Sequence, residues 1–271
     1  METIQQTLNE QAQTLIARYL AAVLALRQQA GEPEVHDYRI VARRLLALLA
    51  LWRPLVHHPE LERRLGEAVH RLSTLRDAQV YGERYGALSP GTAPTPHIRV
   101  PMLTVRLEAW FEAVSRMPPW IDLAILHQQH LALRLVAGLA RFEEVTDALN
   151  GEDGRAFSDE ERLRHWHKLR LELKQTRYGV ELLLAQGAGE SDWLRILTAW
   201  QARLGQLQDW RQWRKLLKQP ADQGKRPAAR AARAERKRLK RKIGRCLLAL
   251  EDQQAELVGL KLAMLSRPRL G

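Results

Sequence analysis

Twelve prolines divide this chain into long stretches of strong helix formers, and that punctuation constrains the fold more than any other feature. Pro33, Pro54 and Pro59, the stretch Ser89 to Pro96, the pair Pro118-Pro119, and Pro220 and Pro227 all fall between periodic segments. A proline supplies no amide hydrogen and clashes with the preceding turn, so these positions mark where helices stop or start. Between Pro119 and Pro220 the breaks are NGEDG (Asn150 to Gly154) and GAGES (Gly187 to Ser191). The intervening residues are mostly Leu, Ala, Arg, Gln and Glu, and the alternating β-branched runs of strands are missing. The pattern predicts an all-α chain of eight helices, roughly 3–30, 34–53, 59–86, 97–117, 120–149, 158–186, 191–218 and 227–259. Ser158 and Glu161 form an S-x-x-E capping box that should open the sixth. Helices of this length with short connections favour antiparallel bundles.

The chain also repeats itself. HDYRIVARRLLA (His36 to Ala47) lines up with HKLRLELKQTRY (His167 to Tyr178), matching His36 with His167, Arg39 with Arg170 and Arg43 with Lys174. Asp77 in LSTLRDAQV lies 41 residues after His36, and Asp209 in LGQLQDW lies 42 residues after His167. The offset of 131 residues pairs the first four helices with the last four. It predicts two pseudo-symmetric four-helix bundles in one domain spanning 1–271, the first half at 1–117 and the second at 120–259.

Charge narrows the function. The net charge is +12, yet Lys225 to Arg245 holds 11 of the 43 basic residues and one acid, Glu235. Elsewhere cations and acids nearly balance, so the excess is local and argues for a binding surface. A single cysteine, Cys246, can form neither an internal disulfide nor a cysteine-based zinc site, as suits a reducing cytosol. The first basic residue is Arg18, so the amino terminus does not read as a signal peptide. The longest apolar run, Leu45 to Trp52, is too short to span a membrane.

At about 100° per residue, His36, Arg39, Arg43 and Ala47 fall on one helical stripe, with Val41, Leu45, Leu48 and Trp52 on the core side. His167, Arg170, Lys174, Arg177 and Tyr178 form the equivalent stripe. A basic stripe is ordinarily a solvated face. Here neither contains an acid to pair with its cations, and both begin with histidine. Cations on successive turns repel, and an anion with regularly spaced charges would relieve that cost. Arginine's planar fork binds phosphate oxygens in pairs, lysine adds a mobile point charge, and histidine gains charge beside a phosphate.

VHDYRIVARR and HKLRLELKQTRYGVELL, with LRDAQV, LGQLQDW and the two-copy arrangement, resemble the paired signatures of the CHAD domain, an α-helical family named for its histidines. The resemblance covers nearly the whole chain. It implies non-catalytic binding of inorganic polyphosphate through basic residues lining the bundles. It marks His36, Arg39, Arg43, Arg44, His167, Arg170, Lys174, Arg177 and Tyr178 as the contacts. Gln175 stands opposite Arg44, which should weaken the second copy's grip there. Arg76 is added as a further contact, whereas Asp77 and Asp209 read as caps or structural pairs.

The segment KRPAARAARAERKRLKRKIGR adds a basic edge, with Arg230, Arg233, Lys237, Arg241 and Arg245 recurring at three and four. Leu239, Ile243, Leu247 and Leu250 give its later half a packing face. Among the eight tryptophans, Trp52, Trp110, Trp200 and Trp213 sit in apolar patterns and should be core; Trp166, beside the second stripe, is the one candidate for stacking on a base. Catalytic and metal motifs are poor. His127 and His130 are one turn apart without H-E-x-x-H, His57-His58 and His165-x-His167 lack acids at ligand spacing, and Gln219 stands where a phosphate-binding loop before Gly224-Lys225 requires glycine. The expectation is a cytoplasmic polyphosphate-binding protein, associated with polyphosphate granules, that uses no cofactor, metal or membrane and has no enzymatic activity. Two alternatives stay open. One is a nucleic-acid-binding protein that uses 225–245 on phosphate backbones. The other is an accessory subunit of a phosphate-metabolising enzyme. Oligomeric state is not legible.

Overall fold

The computed structural model describes residues 4–29, 31–85, 100–118, 122–150, 158–217 and 226–266, excepting the side chains of 4–5, 74–85, 145–150 and 226–228. Nine helices and no strand occur among the described residues: α1 (Ile4–Gln28), α2 (Glu32–Trp52), α3 (Pro59–Tyr85), α4 (Thr104–Ser115), α5 (Leu123–Asn150), α6 (Asp159–Ala185), α7 (Ser191–Leu216), α8 (Arg226–Asp252) and α9 (Gln254–Leu265).

The punctuation acts locally as proline and capping chemistry require. Pro33 enters the first turn of α2, where a missing amide hydrogen costs nothing. The Leu61 amide in the first turn of α3 donates to Nδ1 of His58, the residue just before the helix, at 3.4 Å. Asp122 Oδ1 caps α5 by accepting from Ile125 N at 3.1 Å. At α6 the capping box closes in both directions: Ser158 N donates to Glu161 Oε2 at 3.0 Å, and Glu161 N donates to Ser158 Oγ at 3.3 Å. The same helix ends on Gly187, whose φ of 73° lies in the left-handed region that glycine enters freely.

Two helical spans differ from expectation. The fourth helix begins at Thr104, because Pro101 disfavours helical backbone at Val100 and lacks an amide hydrogen of its own. The non-helical carbonyls find other donors: Tyr19 Oη donates to Pro101 O at 2.7 Å and Arg27 Nη2 to Val100 O at 3.4 Å. The eighth helix does not run to 259. It breaks at Gln253 (φ −96°, ψ 2°), and α9 starts at once. No proline or glycine marks this break. Its cause is tertiary, since Glu256 is held by Trp200 Nε1 at 2.7 Å and by Arg203 Nη1 at 3.2 Å, which pins the start of α9 to α7.

The chain forms two compact units that are not consecutive blocks of sequence. The first comprises residues 1–84, 91–130 and 181–188, and the second 85–90, 131–180 and 189–271. Helices α5 and α6 each contribute residues to both. In the first unit, Tyr19, Leu45, Leu48, Trp52, Leu107 and Trp110 lead a core built from α1 to α4 and the start of α5. The carboxyl half of α2 is enclosed on every side: Ala47 to Trp52 are all buried. Hence Ala47, expected on the basic stripe, is instead core. His130 reaches this segment from α5, with Nε2 2.8 Å from Ala50 O.

In the second unit the inward faces of α5 to α9 meet around Phe142, Trp166, Leu173, Trp200 and Ile243. Trp166 packs on Phe142 with ring centroids 4.6 Å apart and on Trp200 at 6.1 Å. At 3% exposure it offers no ring to a base, which removes the stacking candidate. Trp52, Trp110 and Trp200 are core as expected, whereas Trp213 is only half-buried.

Candidate functional site

In the second unit the basic stripe is a real row. His167, Arg170, Lys174 and Arg177 leave α6 at spacings of three and four, so they stand on successive turns and span about 15 Å of helix. All four are half-buried, because the row lies along α7. Arg177 Nε donates to Gln201 Oε1 at 2.6 Å, and the guanidinium sits over the Tyr178 ring, 4.4 Å from its centroid. Tyr178 therefore serves as a platform for Arg177. Arg170 has room beside α7 because position 205 is glycine; a Cβ there would lie 4.0 Å from Arg170 Nη2. Burial, then Arg170, then Arg211 hold the His167 imidazole below its ordinary pKa, so the ring is neutral at pH 7. Its buried Nδ1 has no hydrogen-bond partner among the described residues.

Arg211 was not singled out in the sequence. It comes from α7, pairs with Glu160 at the start of α6, and brings a further cation to the His167 end of the row. Gln201 and Gly205, one turn apart on α7, are the signal that could have pointed to the facing helix. Gln175 is exposed and, as expected, adds no charge. Yet its side-chain carbonyl accepts a hydrogen bond from Arg134 of α5, so a guanidinium does stand beside that position. Arg134 is also 3.8 Å from Glu172, which Arg141 approaches at 3.3 Å. The one acid inside the matched α6 segment is thus turned towards α5.

In the first unit, Arg39, Arg43 and Arg44 are half-buried on α2, and His36 is exposed near its start. Arg39 Nη2 donates to Ser73 Oγ at 3.4 Å, and Ser73 Oγ donates on to Val69 O at 2.8 Å, so the row lies along α3. Arg44 and His36 make no hydrogen bond or ion pair among the described residues. Arg76 belongs to α3, one turn beyond Ser73, but its side chain and that of Asp77 lie outside the described residues. Asp209 is exposed on α7.

The third expected element is α8. Arg230, Arg233, Lys237, Arg241 and Arg245 are all exposed along one edge, and Leu239, Ile243, Leu247 and Leu250 are buried on the other. Its anchors are Lys242, over the Trp210 ring at 5.4 Å, and Glu251, paired with Arg162 of α6. Neither belongs to the exposed basic edge.

Chemically, the rows offer donors and positive charge. Among the described residues no group of three or more histidine, cysteine or acidic side chains could hold a metal ion, and no helix is long and apolar enough to cross a membrane.

Comparison with known proteins agrees with this architecture. Among curated proteins nothing matches the chain. The crystal structure of the CHAD domain from the plant Ricinus communis is similar, with a TM-score of 0.55 and 20% identity over 99% of this chain and 94% of that one. At that identity the likeness concerns the fold. The model of the CHAD domain family matches residues 10–218, a range that holds both histidine-led rows and ends before α8. The chain belongs to the CHAD domain family.

Proposed function

We propose that the protein binds inorganic polyphosphate, without chemical turnover, through its two histidine-led rows. The observation that carries this reading is the row on α6: four basic or titratable side chains on successive turns, half-buried against α7 and fixed there by Gln201, Tyr178 and the space at Gly205. Preorganised, partly desolvated cations bind anionic oxygens more strongly than mobile surface lysines do, because less rotamer entropy is lost and the field is less screened. A linear anion with a charge on every repeat can meet each member of such a row. The α2 row, set along α3 through Arg39, supports the same reading in the first unit.

The α8 edge favours a second reading. Its exposed arginines and lysines could follow the phosphates of a nucleic acid, and it lies outside the family match. A gel shift with fluorescent long-chain polyphosphate, competed by DNA, RNA and short phosphates, separates the two. Competition by unlabelled polyphosphate alone supports the first; equal or better competition by DNA or RNA supports the second. Where the protein resides in the cell, including on polyphosphate granules, is an extension of the first reading and follows its outcome.

A further inference from the structure

The face of α6 turned away from the basic row forms a groove with α5. Gly138, Arg141 and Phe142 on α5 oppose His165, Lys168 and Glu172 on α6, all at helical spacings of three and four. The hollow measures about 400 Å³, within the range that takes small organic molecules. Its shape follows from the sequence. At Gly138 the helices approach so closely that a Cβ would meet Glu172 Cγ at 3.2 Å. One turn on, Phe142 and His165 stack with centroids 4.1 Å apart, and His165 Nε2 lies 2.7 Å from Phe142 O. These rings and buried Leu169 make an apolar floor. Leu171, 48% exposed, lines the groove and carries its apolar surface out to the rim.

Charge specifies what would fit. The lining carries two acids, Glu172, which Arg141 and Arg134 share, and the exposed Glu144, so three cations, Lys168 among them, face two carboxylates. Lys168 at the rim makes no hydrogen bond or ion pair among the described residues. Burial, above all, lowers the His165 pKa, so that ring joins the apolar floor as a neutral group. From the His165 turn to Glu172 the groove runs about 10 Å along α6.

We infer that this groove is a second ligand site, distinct from the basic rows, for an amphipathic organic anion with an apolar body of about 10 Å and one anionic head group held by Lys168 and Arg141. Its apolar body would lie on Phe142, Leu169 and Leu171. Carboxylate and phosphate heads share this chemistry.

The test uses the full chain, with 8-anilinonaphthalene-1-sulfonate as fluorescent probe and decanoate, decyl phosphate and decanol as competitors. The expected result is saturable binding of one probe per chain, displaced by decanoate or decyl phosphate at least about tenfold more effectively than by decanol. Whichever of the two anions displaces better identifies the head group. Lys168→Glu and Leu171→Glu should each weaken the probe about tenfold or more, whereas the pair Arg170→Ala and Lys174→Ala should leave it unchanged while weakening polyphosphate. Both rim residues are exposed, and matching melting curves confirm that the variants fold. Non-saturable binding, decanol as effective as the anions, or full binding by the folded rim variants would overturn the inference. So would loss of the probe on changing the row alone. None of these outcomes bears on polyphosphate binding, which is read separately.

Discussion

His127 is wholly buried in the first unit, edge-on to Trp52 at 5.1 Å, beside Gln186. Burial, and then His130, lower its pKa to about 4. The sign of the consequence follows. Above pH 6.5 the imidazole is neutral both folded and unfolded, and pH has no effect through it. As pH falls from 6.5 towards 4, the unfolded chain takes up a proton that the folded unit refuses, so stability drops by about 3 kcal/mol in all. Unfolding free energies from urea titrations at pH 7 and pH 5 should differ by about 2 kcal/mol, the part of that loss falling in this interval, and His127→Leu should remove most of the difference. An unchanged slope would place the ring in contact with water. In the sequence His127 and His130 stood out only as a weak metal pair. Their separate fates were legible in the pattern, since Ala124, His127 and Leu131 share the buried face of α5. His167 carries the opposite sign for binding. Its pKa is held down in the free protein, and a phosphate beside it would favour the charged ring. Polyphosphate affinity should therefore rise as pH falls from about 7.5 to 6, with proton uptake visible in calorimetry across buffers of different ionisation enthalpy. His167→Asn should reduce the uptake.

At the scale of elements, the two rows are to be tested as units. Replacing Arg39 and Arg43, or Arg170 and Lys174, with alanine removes charge-assisted hydrogen bonds worth roughly 1.5–3 kcal/mol each when made to an anion. Either pair should weaken polyphosphate binding by about a hundredfold or more, with melting temperature nearly unchanged because none of the four is in the core. Unfolded variants would make the rows structural, and undiminished binding would place the site elsewhere. Helix existence and order were readable from proline spacing and periodicity, and so was the α6 capping box. What the sequence could not convey came from neighbours distant in the chain. The break before α9 depends on Trp200 and Arg203 gripping Glu256; the burial of Trp166 depends on Phe142 and Trp200. Likewise Arg134 and Arg211 enter the α6 site from α5 and α7, where each is one cation among many.

Across the whole molecule the charge is lopsided: +12 overall, with the excess concentrated between Lys225 and Arg245. An exposed cationic edge of this kind acts at long range and raises the rate of encounter with polyanions; on the proposed reading, the half-buried rows would then govern release. Changing Arg230, Arg233, Arg236 and Lys237 to glutamine should therefore slow association and flatten its salt dependence, and alter dissociation much less. A normal association rate with much faster dissociation would make α8 a primary contact surface. The central claim is that the protein holds a long polyanion through repeated contacts along the rows. It is tested most directly by displacement of labelled long-chain polyphosphate with unlabelled long chains, pyrophosphate or ATP at matched phosphate concentration. Repeated contacts predict that the long chain displaces far better, and that its advantage shrinks steeply as salt rises. Equal displacement by ATP and the long chain would contradict the account.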